Sequence, residues 1–578
     1  MKYFLVGIKG TGMSALAQIL NDLGYEVEGS DKPDHFFTEQ ALLDKGIKIY
    51  NFNKDNIKED MIIVQGNAFK DTHEEIVRAK ELGLKIYSYQ DMVGKLTKMF
   101  KTITVAGCHG KTTTSAMLSH VLKNIIGCNY LIGDGTGEAN KENEYFVLEA
   151  CEYKRHFLAY TPYYAIITNI ELDHIDYYKD IDDIISAYQE YAKLAEKMVI
   201  ACGDDPYTHM LETNVPIFFY GLNDDNDIIA KDVEFSNEGT SFDVFIEENY
   251  YGHFDLPLYG KHMLLNALAV IGVCYYERLE AKDVAKYLKT FQGAKRRFKE
   301  KVIGDIVTID DYAHHPTEVK VTIKGARQKY PGKEIVAILK THTLSRTKEM
   351  AQEFADALNL ADKAYVMDVG VDREEIGYDD VTCQVIIDKL NNGEYINLDM
   401  VDKLLKHKNA VMIFMSSKDI YVLQNKYEEL LEKKEEPDKK KDRVLVVIII
   451  VLAAALAVIK IVEFIADGEF QQTDATNENV IIQWRGKTVE EPYIIEVSKN
   501  KQDGYRKVGH IYVDTRNHNI CSTYIHDLKP GSSYYVRIYS VDSSGKKKYS
   551  EPLEVVTEPE GKIENLKYEW KKSNSVKL

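Results

Sequence analysis

The feature that most constrains this chain is a break in composition at residue 433. Lys433 to Arg443 reads KKEEPDKKKDR, and Val444 to Ile459 follows without one charged or polar side chain. Lys460 interrupts the run and Ile461–Val462 complete it. Residues 444–462 would make about 28 Å of helix, which matches a hydrocarbon core of roughly 30 Å. A core helix of a soluble domain usually keeps a polar stripe, and this run has none. The sequence therefore predicts a transmembrane helix over 444–462, with Lys460 near one end where its stem can snorkel. The basic linker 433–443 precedes it, and Glu463, Asp467 and Glu469 follow. The positive flank normally stays inside, so 1–443 is expected to be cytoplasmic and 463–578 outside.

The two sides of that run have different grammars. A length of 578 residues predicts about four domains. Before the run, short apolar strands alternate with helical stretches, which implies parallel sheets. Tyr3–Ile8, Glu26–Ser30, Lys101–Ala106, Tyr145–Leu148, Tyr164–Thr168 and Lys197–Ile200 read as strands, as do Val302–Ile309, Glu334–Leu339, Ala364–Met367 and Ala410–Phe414. Met13–Leu23 and Ser115–Leu122 read as helices. We expect three α/β domains, 1–97, 98–297 and 298–432. After the run, Val480–Trp484, Tyr493–Val497 and Tyr534–Ile538 alternate with period two between turn residues, the pattern of an all-β sandwich. Residues 559–578 read as a polar tail.

Composition excludes some functions. Lys and Arg number 73 against 91 Asp and Glu, a net charge of −18, so general nucleic-acid binding is not expected. None of the seven cysteines forms a CxxC pair, which argues against a zinc ribbon or a thioredoxin-like site. Cys521 alone lies beyond the apolar run, so no disulfide is expected within the outer segment. The apolar run at the N-terminus is too short for a signal-peptide core.

Gly107-Cys108-His109-Gly110-Lys111-Thr112-Thr113-Thr114 follows a strand and opens a helix. Such a loop offers backbone N–H groups and a helix dipole to phosphate oxygens, with Lys111 reaching the β/γ-phosphates and Thr112 a Mg²⁺ ion. Val105 stands where the strict pattern has its first glycine, so the match is partial. Gly7-Ile-Lys-Gly10-Thr11-Gly12 is weaker; it reads as a diphosphate cradle, with Asp31 near the nucleoside, or as a tight strand-to-helix turn. Glu149-Ala-Cys-Glu152, Asp173-His174 and Asp310 to Glu318 also stand after strands, where carboxylates and imidazoles suit divalent metals beside a nucleotide.

Together VGIKGTGMS, GCHGKTTT, LIGDGTG, EACEYKRHFL, TNIELDH, YGKHMLLNALAV, GAKRRF and DDYAHHPTE, in this order, resemble the Mur ligase family, most nearly its Gram-positive UDP-N-acetylmuramate–L-alanine ligases, over about 1–432. The resemblance implies a Rossmann-like UDP-sugar domain, a central P-loop ATPase domain and a Rossmann-like third domain. It implies a reaction in which ATP phosphorylates the lactyl carboxylate of UDP-N-acetylmuramate and the L-alanine amine attacks the acyl phosphate. By the same resemblance Gly107, Cys108, His109, Gly110, Lys111, Thr112 and Thr113 hold phosphates. Thr112 and Glu149 ligate one Mg²⁺ and His174 a second. His262 and Asn266 sit on the adenine side, and Arg297 and Asp311 contact ATP. Gly10, Thr11, Gly12 and Asp31 serve the UDP sugar, Tyr312 and His314 the muramyl–alanine junction, and His342 and Arg346 the carboxylate-bearing end. Lys111, Glu149, His174, His314 and Arg346 form the expected catalytic set.

Two stretches depart from the family pattern: Lys340-Thr-His342-Thr-Leu344 replaces Gln-Pro-His-Thr with its following aromatic, and Ser416-Ser-Lys-Asp419 replaces Gly-Ala-Gly-Asp. A ligase adding a different amino acid or a peptide, or an inactive membrane scaffold, therefore remain alternatives. The segment 476–558, with Leu528-Lys-Pro-Gly-Ser-Ser-Tyr534 and Trp484, resembles a fibronectin type III module. Its expected partner is wall polymer or a protein outside the cell.

Overall fold

The computed structural model of the chain describes residues 2–433, except 176, 372–376 and 379, and residues 471–557, except 476–479, 486–492, 512–519 and 542–544. The expected transmembrane helix, nearly all of the basic linker and the polar tail lie outside the described residues. Among the described residues no helix is long and apolar enough to cross a membrane. The chain divides into two compact units, 1–439 and 440–578.

The first unit holds three sheets. One has five parallel strands in the order Lys48–Asn51, Glu26–Asp31, Lys2–Val6, Met61–Gln65, Ile86–Ser88. The second is built on a parallel core in the order Ile217–Gly221, Met198–Cys202, Tyr164–Ile167, Lys101–Ala106, Tyr145–Glu149, Cys128–Leu131. These strands are mostly buried and largely apolar because helices cover both faces, as a parallel sheet demands. The helix Lys261–Tyr276 is buried almost all round, and Asn266 is the one polar side chain among its buried residues. An antiparallel ribbon, Ile228–Ser236, Gly239–Ile246 and Asn249–Leu256, extends the sheet at one edge; the sequence reading does not place it.

The third sheet runs Lys299–Ile303, Ile306–Asp311, Ala410–Met415, Glu334–Leu339, Lys363–Val366, Gly393–Tyr395. Here one expectation is corrected. Val302–Ile309 is not one strand but the middle of an antiparallel hairpin. Gly304 turns the chain there with a φ of 58°, a conformation that suits glycine. The phosphate-loop helix also starts earlier than expected and spans Lys111–Ile125.

The second unit is a β-sandwich, with sheets carrying Gln471–Ala475, Val480–Arg485 and Ile520–Ile525 on one side and Arg506–Ile511, Tyr493–Ser498, Ser533–Val541, Lys547–Tyr549 and Leu553–Val556 on the other. Ile482, Ile495, Val497, Ile525, Val536 and Val555 share its core. A strand thus precedes the expected start at 476. The Tyr534 hydroxyl accepts from the Lys529 N–H at 2.8 Å, the corner bond that the sequence pattern predicts. The Trp484 side chain lies outside what is described.

Candidate active site

The strand Lys101–Ala106 lies between Tyr145–Glu149 and Tyr164–Ile167, so three carboxyl ends open on one crevice. Beyond the first, Gly107 has a φ of 138° and Gly110 a φ of 83°. A Cβ on Gly110 would stand 2.7 Å from Asn266 Oδ1, so only glycine lets the loop approach that helix. No side chain caps the helix Lys111–Ile125, and its first N–H groups face the crevice unspent. The Lys111 ammonium donates to the Gly107 and Cys108 carbonyls at 2.5 and 3.2 Å and pairs with Glu152 at 3.0 Å.

Two groups of acids surround this lysine. Glu149, at the end of its strand, accepts from the Gly133 N–H at 2.8 Å and from the Thr112 hydroxyl; burial pushes its carboxyl upward. Glu152 is buried and joins Lys111 to His174, whose Nε2 is 3.2 Å away. Burial favours the neutral acid there, but Lys111 and His174 hold Glu152 below the usual range. Asp173 completes the group with His174, and Arg346 of the third domain donates to it. Burial opposes ionisation of Asp173 too, and the guanidinium overcomes it. His174 adopts a φ of 51°, which turns its ring toward Glu152.

A cavity of about 340 Å³ opens above these groups. Lys111, Thr112, Glu149 and His174 line it, with Arg297, Tyr312 and His314 from the third-domain side and Thr11 and Phe37 from the first domain. Tyr312 carries the Arg296 and Arg297 guanidinium groups over its ring at 5.4 and 5.1 Å. His314 Nδ1 lies 3.0 Å from Glu318. A second cavity of about 320 Å³ lies on the other side of the loop and is lined by His109, Gly110, Thr113, His262, Asn266, Arg297 and Asp311. Burial drives His262 down to about 4, so its ring is neutral there. Asp311 accepts from the Phe298 and Ala313 N–H groups at 2.9 and 2.8 Å, and burial raises it to about 6.

In the first domain Gly10, Thr11, Gly12 and Asp31 line a third cavity of about 380 Å³. Asp31 accepts from the Lys9 N–H at 2.7 Å. Thr11 borders both this cavity and the one above Lys111.

The structure places the remaining pair apart from these cavities. His342 and Arg346 line none of these three cavities. Arg346 is buried and spends one arm on Asp173, so it bridges the third and middle domains rather than presenting a free fork. Thr343, between His342 and the helix Leu344–Glu349, has a φ of 72°, unusual for a β-branched residue. The two departing stretches meet each other: Lys340 pairs with Asp419 at 2.6 Å, and the Ser416 hydroxyl donates to the Lys340 carbonyl. Sequence reasoning placed Glu152 and Asp173 in clusters suited to divalent metals but gave neither a role of its own.

Comparison with known proteins accords with this geometry. Residues 2–101 match the Mur ligase family catalytic domain, 105–274 the Mur ligase middle domain, 296–423 the Mur ligase glutamate ligase domain, and 468–556 the fibronectin type III domain. A UDP-N-acetylmuramate-alanine ligase from Thermotoga maritima is 27% identical, with a TM-score of 0.63 over 75% of this chain and 100% of its own. A murein peptide ligase from Psychrobacter arcticus, 24% identical, shares the fold with a TM-score of 0.55 over 75% and 98%. A pseudomurein peptide ligase from Methanothermus fervidus, 18% identical, does so with 0.53 over 75% and 99%. Through residues 2–423 the chain belongs to the Mur ligase family, and a fibronectin type III domain follows.

Proposed function

We propose that the chain is an ATP-dependent ligase that joins L-alanine to the lactyl carboxylate of UDP-N-acetylmuramate in peptidoglycan precursor synthesis. The observation that carries this reading is the meeting of three domains around Lys111, with a first-domain cavity that shares Thr11 with the phosphate-loop cavity.

The residues suit ATP and Mg²⁺. The uncapped helix at Lys111 and the close approach that Gly110 permits suit an anion with its counter-ions. Thr112 and Glu149 would hold one Mg²⁺; His174, with Glu152 and Asp173, would hold the other. ATP supplies the phosphoryl group that makes the carboxylate a competent electrophile, and the metal ions neutralise its charge. The protein's part is positioning. Lys111 stands where charge on the β/γ-phosphates must be balanced, and the Glu152 contact keeps it there. Gly10 and Gly12 let the first-domain backbone approach the UDP sugar, with Asp31 on the nucleoside side. His109, Thr113, His262 and Asn266 frame the nucleotide, and Arg297 and Asp311 bring the third domain to it. Tyr312 and His314 face the junction of acyl group and amine. Arg346 acts through Asp173, which makes it a positioning residue, and His342 stands on the strained turn beside it.

We also place 444–462 across the membrane, with 1–443 cytoplasmic and 463–578 outside, so that precursor synthesis stays beside the steps that consume it. Mass analysis of the product formed with UDP-N-acetylmuramate, ATP and L-alanine tests the chemistry: an adduct one alanyl residue heavier is expected, and unchanged UDP sugar contradicts it. Protease shaving of intact cells tests the topology; removal of 1–432 from outside would reverse it.

A further inference from the structure

The first-domain cavity of about 380 Å³ is lined by a polar side chain that no motif in the sequence singled out and that the proposed reaction leaves without a task, Tyr89. Tyr89 opens the helix Tyr89–Thr97, directly after the short strand Ile86–Ser88. The Ser88 hydroxyl accepts from the Asp91 N–H at 3.1 Å and fixes the start of that helix. The helix packs on the middle-domain segment Tyr153–Ala159, where a Cβ on Gly94 would collide with the Ala159 carbonyl oxygen. The ring is thus carried on an element anchored in both domains.

The phenol lies against the glycine turn of the first domain. A Cβ on Gly12 would stand 2.7 Å from the Tyr89 hydroxyl and 2.8 Å from the ring carbon that bears it, so glycine at this position makes room for the phenol. Among the described residues the Tyr89 hydroxyl makes no hydrogen bond. Burial pushes its proton affinity above the ordinary 10, and the Glu149 carboxylate of the middle domain pushes it further, so the group is a donor at any working pH.

The charges of the lining leave such a donor a task. Asp31 already accepts from the Lys9 and Lys32 N–H groups at 2.7 and 2.8 Å. The Lys9 ammonium is turned away, toward the Lys32 and Asp34 carbonyls. Among the described residues of the lining, Lys32 is the one cation, and it is exposed. A diphosphate bound here therefore needs neutral donors as well. Thr11, beside Gly12, also lines the cavity above Lys111, which the muramyl end has to reach.

We propose that the Tyr89 hydroxyl donates to the diphosphate of the UDP sugar at the Gly10–Gly12 turn and fixes the nucleotide there. This contact rests on the ligase reading for the identity of the sugar nucleotide, but binding of UDP needs no ligation.

Calorimetric titration of the full-length protein with UDP and with UDP-N-acetylmuramate tests it, beside uridine followed by its displacement of UDP. Tyr89→Phe removes only the hydroxyl. It should bind UDP and UDP-N-acetylmuramate at least about tenfold more weakly, the loss expected for a hydrogen bond to a charged group, and keep the wild-type affinity for uridine. In turnover the KM for the UDP sugar should rise by the same factor, with the KM for ATP and the melting temperature unaltered. Tyr87→Phe, outside the cavity lining, should match the wild type. Equal UDP affinity in Tyr89→Phe and the wild type, or an equal loss of uridine affinity, would overturn the contact. A wild type that binds UDP yet forms no amide would overturn the ligase reading alone, and one that binds no UDP would overturn both.

Discussion

The turns Gly7–Gly12 and Gly107–Thr114 are two versions of one device, a glycine-rich link from a central parallel strand to a helix that no side chain caps. Their lysines differ. Lys9 is buried against its own domain: its ammonium donates to the Lys32 and Asp34 carbonyls at 3.1 and 3.0 Å and pairs with Glu39. Lys111 lines an open cavity and is held by Glu152, itself joined to His174. The glycines differ as well, since Gly10 has a φ of −59° and Gly110 one of 83°. A glycine turn alone makes a cradle. Acids and an imidazole on the neighbouring strand ends make a place for phosphoryl chemistry.

The largest test of that contrast exchanges the lysines. Lys111→Met is expected to lower turnover by a factor of about 10² or more, read as ADP release. It also strands the buried Glu152 carboxylate, a loss of about 3–5 kcal/mol in stability. The double variant Lys111→Met/Glu152→Gln should regain the melting temperature but not the activity. Lys9→Met is expected to cost stability while leaving kcat within a few fold.

Next in size is the titration of Asp311. Its folded pKa, about 6, lies above the ordinary 3.8 because burial disfavours the charge. The folded state therefore binds the proton more tightly, and stability falls as pH rises from about 4 through about 6. The loss amounts to no more than about 3 kcal/mol. Denaturant titrations of Asp311→Asn against the wild type should show a difference that moves in the variant's favour over that interval and stays flat above pH 7.

The glycines come third. Gly110→Ala places a Cβ against Asn266 in a left-handed conformation and should lower stability by about 1–2 kcal/mol. Gly10→Ala meets only the Gly7 carbonyl at 3.4 Å and should shift it by less than about 0.5 kcal/mol. Thermal melts separate the two. Outside both turns, Tyr534→Phe should cost the β-sandwich about 1 kcal/mol through its lost bond to Lys529.

Local pattern explains what the sequence revealed. The strand Lys101–Ala106 and its loop are legible because glycine, lysine and threonine spacing is a property of neighbours along the chain. The corner at Tyr534 is legible for the same reason. The hairpin at Gly304 was missed because apolar residues flank a single glycine on both sides. The Asp173–Arg346 pair joins residues 173 positions apart, and no spacing rule reaches that far. The departures at Lys340 and Ser416 looked like separate losses in sequence; in space they bond to each other and to Asp419. The positive φ of Thr343 was likewise invisible, since a β-branched residue does not announce one.

The central claim is that the three domains close around Lys111 to join an amino acid to a UDP sugar. Its most direct test is ADP release by the full-length protein with ATP, Mg²⁺, UDP-N-acetylmuramate and one amino acid at a time. Release should require the UDP sugar, be fastest with L-alanine and disappear in Lys111→Met. No release with any amino acid, or release that persists without the UDP sugar, would contradict it.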